Sequence, residues 1–279
     1  MIKLIFIFLI ALNNLTLPSF SENWFTSAAN YSSTKFANIK EINQSNIKNL
    51  DIAWIYRNGY IPNKSQTSQN NQATPIFTGN SLILTSLDNF IISINPKNGK
   101  ENWRTKINSP AGKRGLIYYD GNIYVPSFNG IYVLNEKSGN LNNSFGINGL
   151  IGEEKRVSLV PPVVIKDKIF IIYKSLITSH DLPSGKLNWK LNLNGSRVWS
   201  GVSFDNKTKT LAFVTSNLVN LIGNTKIEND YSNSIVLVNT ITGKTKCKFK
   251  DTIHDHWDLD MVGNPVSYTH LTLPTILLV

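Results

Sequence analysis

The densest group of potentially reactive side chains is the heptapeptide HDHWDLD, which runs from His254 to Asp260. Its histidines and aspartates are residue types that bind divalent metals or transfer protons. If the segment is extended, alternate residues share one face. That face would carry His254, His256, Asp258 and Asp260, a ligand set that suits a zinc or manganese hydrolase. No partner ligands stand elsewhere in the sequence at a recognised spacing, which counts against a metal hydrolase. A metal centre, a catalytic carboxylate and a turn that merely carries polar side chains remain open alternatives.

The scaffold that must position these side chains is indicated by a fourfold repeat. Its copies are IISINPKNGKENW (91–103), IYVLNEKSGNLNN (131–143), ITSHDLPSGKLNW (177–189) and IVLVNTITGKTKC (235–247). In each copy a β-rich run predicts a strand, an Asx residue starts a turn, and a glycine near the end supplies positive φ. Trp103 and Trp189 follow the glycine by four residues in two copies, where Asn143 and Cys247 stand in the others. We expect these tryptophans to pack against a neighbouring sheet.

A further pair of β-rich runs precedes each copy, so each repeat holds about four antiparallel strands. The glycines recur after 40, 46 and 58 residues, from Gly99 to Gly139, Gly185 and Gly243. Four-stranded units at this period are typical of β-propeller blades. The sequence therefore predicts an all-β fold, a β-propeller of four-stranded antiparallel blades. Residues 39–50 are expected to hold a short helical turn before a strand over 51–57.

Composition narrows the class of protein. Hydrophobic residues make up 41% of the 279 residues and charged residues 16%, which is typical of a globular chain rather than a disordered one. The net charge is +10, but the lysines are scattered singly, which argues against nucleic-acid binding. Cys247 is the only cysteine, so the chain has neither an internal disulfide nor a cysteine zinc cluster.

The first 21 residues predict a secretory signal peptide. One lysine precedes an apolar run from Leu4 to Leu12, and Ser19 and Ser21 occupy the −3 and −1 positions of a cleavage site. The apolar run is shorter than the roughly 20 residues that span a bilayer. We therefore expect an exported chain that starts near Glu22 and has no transmembrane span beyond the signal peptide; an uncleaved anchor is the alternative.

Six further stretches occur in a characteristic order. They are the opening NWFTSAANYSSTKFANIKEINQSNIKNLDIAWIYR, then QATPIFTGNSLILTS, KRGLIYYDGNIYVPSFNGIYVLNEKSGNLNNSFGINGL, VPPVV, VWSGVSFDNKTKTLAFVTSN and HDHWDLD. In this order they resemble the quinoprotein dehydrogenases, propeller enzymes that use pyrroloquinoline quinone (PQQ). The resemblance runs from about Trp24 to Pro265. It implies a periplasmic enzyme of eight blades around a central quinone.

The chain carries about four such blades, so the resemblance implies an incomplete propeller. Residues 22–265 would be the N-terminal half of a PQQ-dehydrogenase propeller, which alone is expected to be inactive. From Val266 the stretch VSYTHLTLPT matches nothing in the family and looks like a translated sequencing adapter. We therefore predict that residues 266–279 are a non-native tail; a genuine short protein with an apolar tail is the alternative.

The resemblance also implies which residues hold the quinone. Trp199, six residues before Asp205, corresponds to the tryptophan that stacks under it. Arg114 in KRGLIYY corresponds to the arginine that reaches the cofactor, and a guanidinium offers forked donors for carboxylates. Gln72 stands where the family often has a glutamate before Ala-Thr-Pro, so it would contribute an amide without charge.

Metal binding and proton transfer are likewise implied by the resemblance. Asn217 in VTSN matches the asparagine whose side-chain oxygen binds calcium. Asp255 is assigned as the general base, with Asp258 as the runner-up, while Trp257 packs the loop. Calcium prefers six to eight oxygens, and the third blade lacks the further oxygen ligands that family members supply. We therefore expect this chain to supply few of the oxygen ligands of a calcium ion.

The predicted function is oxidation of a sugar or an alcohol, with electrons passed to ubiquinone or cytochrome c. The absence of an adjacent cysteine pair places the chain nearer to the glucose-dehydrogenase-like group than to methanol dehydrogenase. The alternative is a non-catalytic propeller that binds proteins, like the outer-membrane assembly scaffolds with the same repeat. Such a scaffold needs the repeat but not HDHWDLD, Arg114 or the spacing from Trp199 to Asp205.

Overall fold

A computed structural model describes residues 24–61, 72–152, 157, 160–217, 230–253, 255 and 259–267. Its strands form four sheets, each of four antiparallel strands that pair in chain order. A single turn of 3-10 helix, Ile47–Asn49, lies in the predicted 39–50 segment. None of the helical residues that the structure describes could make up a membrane span.

The strand bounds follow the repeat. The first sheet comprises β1 (Ile76–Phe77), β2 (Leu82–Thr85), β3 (Phe90–Ile94) and β4 (Glu101–Lys106). The second comprises β5 (Ile117–Tyr119), β6 (Asn122–Ser127), β7 (Gly130–Asn135) and β8 (Leu150–Ile151). The third comprises β9 (Val163–Ile165), β10 (Lys168–Ile172), β11 (Leu176–Asp181) and β12 (Leu187–Asn192). The fourth comprises β13 (Ser203–Asp205), β14 (Thr210–Val214), β15 (Ser234–Asn239) and β16 (Thr245–Lys250).

The Asx-to-glycine turns form as their residue types predict. In the first sheet the side chain of Asn95 accepts a hydrogen bond from the N–H of Lys97 at 2.9 Å, and its carbonyl accepts one from Gly99 at 2.9 Å. Gly99 has a φ of +70°, a conformation that costs a residue with a Cβ about 1–2 kcal/mol. The same backbone bond closes the turns at Asn135, Asp181 and Asn239.

Three apolar layers hold the four sheets together. Buried side chains of the first and second sheets, such as Ile83 and Ile123, form one layer. Residues of the second and third sheets, such as Ile131 and Ile169, form the next, and Phe170 packs with Phe213 between the third and fourth. Each sheet therefore packs face to face against the next along the chain. This arrangement confirms the all-β prediction of four propeller blades that form an incomplete propeller.

The tryptophans that follow the turns fix one blade to the next. Trp103 in β4 donates its indole N–H to the carbonyl of Glu136 at 2.8 Å, within the turn of the second sheet. A Cβ placed on Gly139 would lie 2.5 Å from two atoms of this indole, so only a glycine admits the ring. Trp189 in β12 repeats the contact with Thr240, at 3.0 Å, in the fourth sheet. The prediction that these tryptophans pack against a neighbouring sheet is confirmed.

One expectation needs correction, and the second sheet departs from the repeat. Among the described residues, 51–57 pair with no strand, because the side chains of Trp54 and Tyr56, and not backbone hydrogen bonds, attach this segment to the first sheet. In the second sheet the outer strand does not follow its turn directly, since the Asn- and Gly-rich stretch 140–149 intervenes before β8. There the N–H of Gly146 donates to the carbonyl of Pro183 at 2.8 Å and replaces the tryptophan contact with the third sheet.

Candidate functional site

The three predicted cofactor-binding residues meet in the structure. Gln72 precedes β1, Arg114 precedes β5 and Trp199 precedes β13, so each lies where the chain enters the first strand of a different sheet. The guanidinium carbon of Arg114 lies 4.7 Å from the centroid of the Trp199 ring. Its Nε donates to Oε1 of Gln72 at 3.1 Å, and Nη1 donates to the carbonyl of Trp199. Residues far apart in the sequence thus form one contiguous surface.

The electrostatics of this surface suit an anionic planar ligand. Burial lowers the pKa of Arg114 below its usual range, but a guanidinium remains charged in proteins. Arg114 and Trp199 are half-buried, whereas Gln72 is exposed. The surface therefore combines a persistent positive charge, an amide and an aromatic ring. These are the groups that a carboxylated aromatic ring system needs.

Two polar atoms beside the ring have no partner in the part of the chain that the structure describes. They are Nε1 of Trp199 and Oγ of Ser200, and both are buried. A buried donor without a hydrogen bond costs about 1–3 kcal/mol, so such atoms call for an explanation. Both atoms are closed to solvent in this structure, so a ligand could reach them only after the surface rearranges. The charge of Arg114, the amide of Gln72 and the indole of Trp199 are the groups that fit a quinone with carboxylates.

The predicted metal ligand and the predicted base form a second group. Nδ2 of Asn217 donates to Oδ2 of Asp255 at 3.0 Å, and the N–H of Leu259 donates to the same oxygen at 2.6 Å. Asp255 is 3% exposed and Asn217 7%. Because Nδ2 is a donor to Asp255, a cation would be bound by Asn217 through Oδ1. The chemistry of this pair thus fits an oxygen-liganded cation.

The two groups are joined through the backbone. The N–H of Ser216 donates to the carbonyl of Arg197 at 2.9 Å, and the N–H of Arg197 donates to Oγ of Ser216 at 3.2 Å. These bonds place the segment that carries Trp199 beside the segment that carries Asn217. The aromatic surface and the Asn217–Asp255 pair are therefore neighbours at one end of the fourth sheet.

The structure adds one residue to which the sequence reasoning gave no place in the quinone site. Oδ1 of Asp260 accepts a hydrogen bond from the N–H of Asn217 at 2.8 Å. In the sequence, Asp260 belongs only to the ligand set of the alternative hydrolase site. Its place in HDHWDLD is the signal that links it to Asp255, which comes from the same segment.

The remaining residues of the heptapeptide lie outside the described residues. They are His254, His256, Trp257 and the runner-up base Asp258. Within the described chain, His, Cys, Asp and Glu form no group of three that could hold a metal. The predicted site residues that can be placed therefore all belong to the two groups above.

Comparison with protein families gives a match over most of the chain. Residues 24–185 and 172–272 match the family described as the β-propeller domain of PQQ glucose, ethanol and alcohol dehydrogenases. The matched ranges include every predicted site residue.

Individual proteins give the same result. The chain is 24% identical to quinoprotein glucose dehydrogenase A of Acinetobacter calcoaceticus, over 89% of this chain and 40% of that protein. It is 22% identical to a quinone-linked quinate/shikimate dehydrogenase of Acinetobacter baylyi, over 87% of this chain and 39% of that protein. The quinohemoprotein alcohol dehydrogenase of Comamonas testosteroni shares the fold, with a TM-score of 0.70 at 19% identity, over 87% of this chain and 43% of that one. The chain thus spans about 40% of the length of these relatives.

Proposed function

Because the chain belongs to the β-propeller family of PQQ-dependent glucose, ethanol and alcohol dehydrogenases, we propose that it is part of an enzyme that oxidises a sugar or an alcohol. The proposed enzyme is periplasmic, exported by the signal peptide of residues 1–21, and passes electrons to ubiquinone or cytochrome c. Its curated relatives include dehydrogenases of glucose and of quinate or shikimate.

The observation that carries the proposal is the meeting of Gln72, Arg114 and Trp199. The repeat that builds the blades does not require these three side chains to touch, since the blades are held by their apolar layers and indole contacts. A protein-binding propeller would need the same layers but no half-buried cation over an indole. The contact between Arg114 and Trp199 at 4.7 Å therefore favours a ligand site.

Each side chain has a distinct task in the proposed site. PQQ, when bound, supplies the electron-accepting carbonyl. Trp199 offers the aromatic face, Arg114 pairs with a carboxylate, and Gln72 donates from its amide while its carbonyl orients Arg114. The guanidinium covers one face of the indole, so a planar ligand would stack on that face only if Arg114 moved aside.

Proton transfer and metal binding belong to the second group. Asp255 is proposed as the group that takes the proton of the substrate hydroxyl, with Asp258 as the alternative. Asn217 is proposed as a ligand of calcium through Oδ1. Calcium prefers six to eight oxygens, so the ligand itself and other parts of the protein must supply most of them.

We also propose that the chain is an N-terminal fragment with a non-native tail. Residues 22–265 would form the propeller half, and residues 266–279 would derive from an adapter. Two observations count against a boundary at residue 266: the family match runs to residue 272, and the N–H of Ser267 donates to the carbonyl of Ser32 at 3.1 Å. Sequencing the locus beyond the Pro265 codon decides the boundary, because a family-like continuation excludes the short-protein alternative.

The function is tested on the product of the longer reading frame, reconstituted with PQQ and calcium. Reduction of an artificial dye is measured over a panel of alcohols and aldoses, with calcium omitted as a control. We expect PQQ-dependent reduction with at least one of them. Failure to bind PQQ, together with no dye reduction over the whole panel, would favour the protein-binding propeller.

A further inference from the structure

The entry segment, residues 24–33, crosses the first strands of the first and second sheets. The N–H of Phe77 in β1 donates to the carbonyl of Trp24 at 2.8 Å. The N–H of Tyr118 in β5 donates to the carbonyl of Phe25 at 2.9 Å. Because the first strand of each sheet has a partner on one side only, these bonds satisfy backbone donors that pairing within the sheet leaves free.

The entry segment reaches the third and fourth sheets through Tyr31. The hydroxyl of Tyr31 donates to the carbonyl of Val164 in β9, and the N–H of Phe204 in β13 donates to the carbonyl of Tyr31 at 2.7 Å. Oγ of Ser203 donates to Oγ of Ser33 at 3.1 Å. The ring of Tyr31 packs against the apolar layer between the second and third sheets and also against the layer between the third and fourth. Tyr31 therefore joins two sheets to the segment.

A tight turn separates the contact with the second sheet from the contact with the fourth. The N–H of Ala29 donates to the carbonyl of Thr26 at 3.2 Å, and the N–H of Ala28 donates to Oγ1 of Thr26 at 3.0 Å. All three residues are buried. The rings of Phe25 and Tyr31 meet edge to face across this turn, with centroids 5.0 Å apart. Because the turn is closed and packed, it fixes the separation of the two contacts.

The cofactor surface depends on the same two sheets. Arg114 precedes β5 of the second sheet and Trp199 precedes β13 of the fourth, whereas each apolar layer of the described residues joins consecutive sheets. Their contact at 4.7 Å therefore spans two sheet interfaces, and a rotation at either interface would change it. The entry segment also lies beside Arg114, since a Cβ on Gly115 would be 3.4 Å from Cβ of Ser27.

We propose that the entry segment positions Arg114 over Trp199 by fixing the second sheet relative to the fourth, with Tyr31 as the positioning residue at its fourth-sheet end. The inference rests on the proposed function, because it gives the segment a role in the PQQ site. The role is separate from the joining of consecutive blades, which the apolar layers and the indole contacts provide. A segment that only covers strand edges would leave the spacing of the two sheets unchanged when it is weakened.

Double electron–electron resonance of the full chain, without PQQ, measures this spacing. One spin label is attached to Cys247 in the fourth sheet and the other to Lys137→Cys in a turn of the second, and both positions are exposed. Tyr31→Ala removes the hydroxyl and the ring, so the distance distribution should widen by about 2 Å or more, the scale of a domain rearrangement. Tyr31→Phe removes the hydroxyl alone and should widen the distribution by less.

Tyr119→Phe is the matched control. The hydroxyl of Tyr119 accepts a hydrogen bond from the N–H of Lys166 at 2.8 Å, so it joins two consecutive sheets. In the product of the longer reading frame, Tyr31→Phe should raise the Kd for PQQ roughly twofold to tenfold, the equivalent of one hydrogen bond, and Tyr119→Phe should not. The free energy of unfolding is measured for both variants, which separates an effect on stability from an effect on position.

The two measurements keep the inference apart from the proposed function. Unchanged spacing in Tyr31→Phe and Tyr31→Ala would overturn the inference, and so would equal effects of Tyr31→Phe and Tyr119→Phe on the spacing or on the Kd. If Tyr31→Ala does not fold, the comparison of Tyr31→Phe with Tyr119→Phe decides. If the unsubstituted protein binds no PQQ, the proposed function fails, while the spin-label distances still decide whether the segment fixes the two sheets.

Discussion

The contact between Trp103 and Gly139 allows a quantitative test of how the blades are held together. Gly139 has a φ of +71°, and a Cβ there would lie 2.5 Å from Cδ2 and Cε3 of Trp103. Gly121 has a φ of +73° but open space around it. Alanine at either position carries the backbone cost of about 1–2 kcal/mol. Only at Gly139 must the indole also be displaced, which adds about 1–3 kcal/mol.

Gly139→Ala should therefore lower the free energy of unfolding by about 1–3 kcal/mol more than Gly121→Ala does. The measurement is urea denaturation of the full chain, followed by far-ultraviolet circular dichroism. In thermal melts the difference should appear as roughly 2–4 °C per kcal/mol for a domain of this size. Adding Trp103→Ala to each variant completes a double-mutant cycle.

The cycle identifies the cause of the difference. If the indole is what the new Cβ meets, removing Trp103 should abolish most of the extra cost at Gly139 and leave Gly121→Ala unaffected. Equal destabilisation by the two alanines, or an extra cost that persists without Trp103, would refute the steric reasoning. The fixed approach of the tryptophan would then not be what holds the first two blades in register.

Three further predictions concern the site and the contact of residues 51–57 with the first sheet. Arg114→Lys loses the fork and most of the contact with the Trp199 ring, so the Kd for PQQ should rise roughly tenfold, as measured by fluorescence titration. Asp255→Ala removes the carboxylate that accepts hydrogen bonds from Asn217 and Leu259 and should cost about 2–4 kcal/mol in urea unfolding, whereas Asp255→Asn should cost less. A hydrogen bond from Arg104 lowers the pKa of Glu101 below the usual 4.5. The stability that this ion pair contributes is therefore present above pH 4.5 and is lost as the pH falls through the lowered pKa. Fluorescence of Trp54, which lies against the first sheet, should report this acid transition, and Glu101→Gln should remove the transition.

The sequence predicted the blades because their signals are local. Alternating strands, an Asx residue and a positive-φ glycine act within a dozen residues, and the four copies agree with one another. The same signals could not show that the second blade lacks the tryptophan contact. That difference depends on the stretch 140–149, whose backbone at Gly146 reaches Pro183 of the next sheet.

The arrangement of the two site groups was less predictable, because it depends on contacts between sheets. Nothing near Arg114 or Trp199 in the sequence indicates that they touch, and the family resemblance implied a role for each residue but not their contact. The strand predicted at 51–57 illustrates the same limit. Its pattern was that of a strand, but pairing is a property of two segments, and no described segment lies along its edge.

The histidines of HDHWDLD first suggested a metal cluster, yet the described geometry gives the organising role to an aspartate. Both described donors to Asp255 meet at one oxygen, Oδ2, and one of them is the amide of Asn217. In the proposed site, the bond to Oδ2 turns the amide nitrogen of Asn217 toward Asp255, so Oδ1 would be the atom that faces a cation. If Asp255 is the base, Asp255→Asn in the longer enzyme abolishes turnover with binding of calcium retained. If Asp258 is the base, the asparagine, which can keep an oxygen toward both donors, retains turnover, and Asp258→Asn abolishes it.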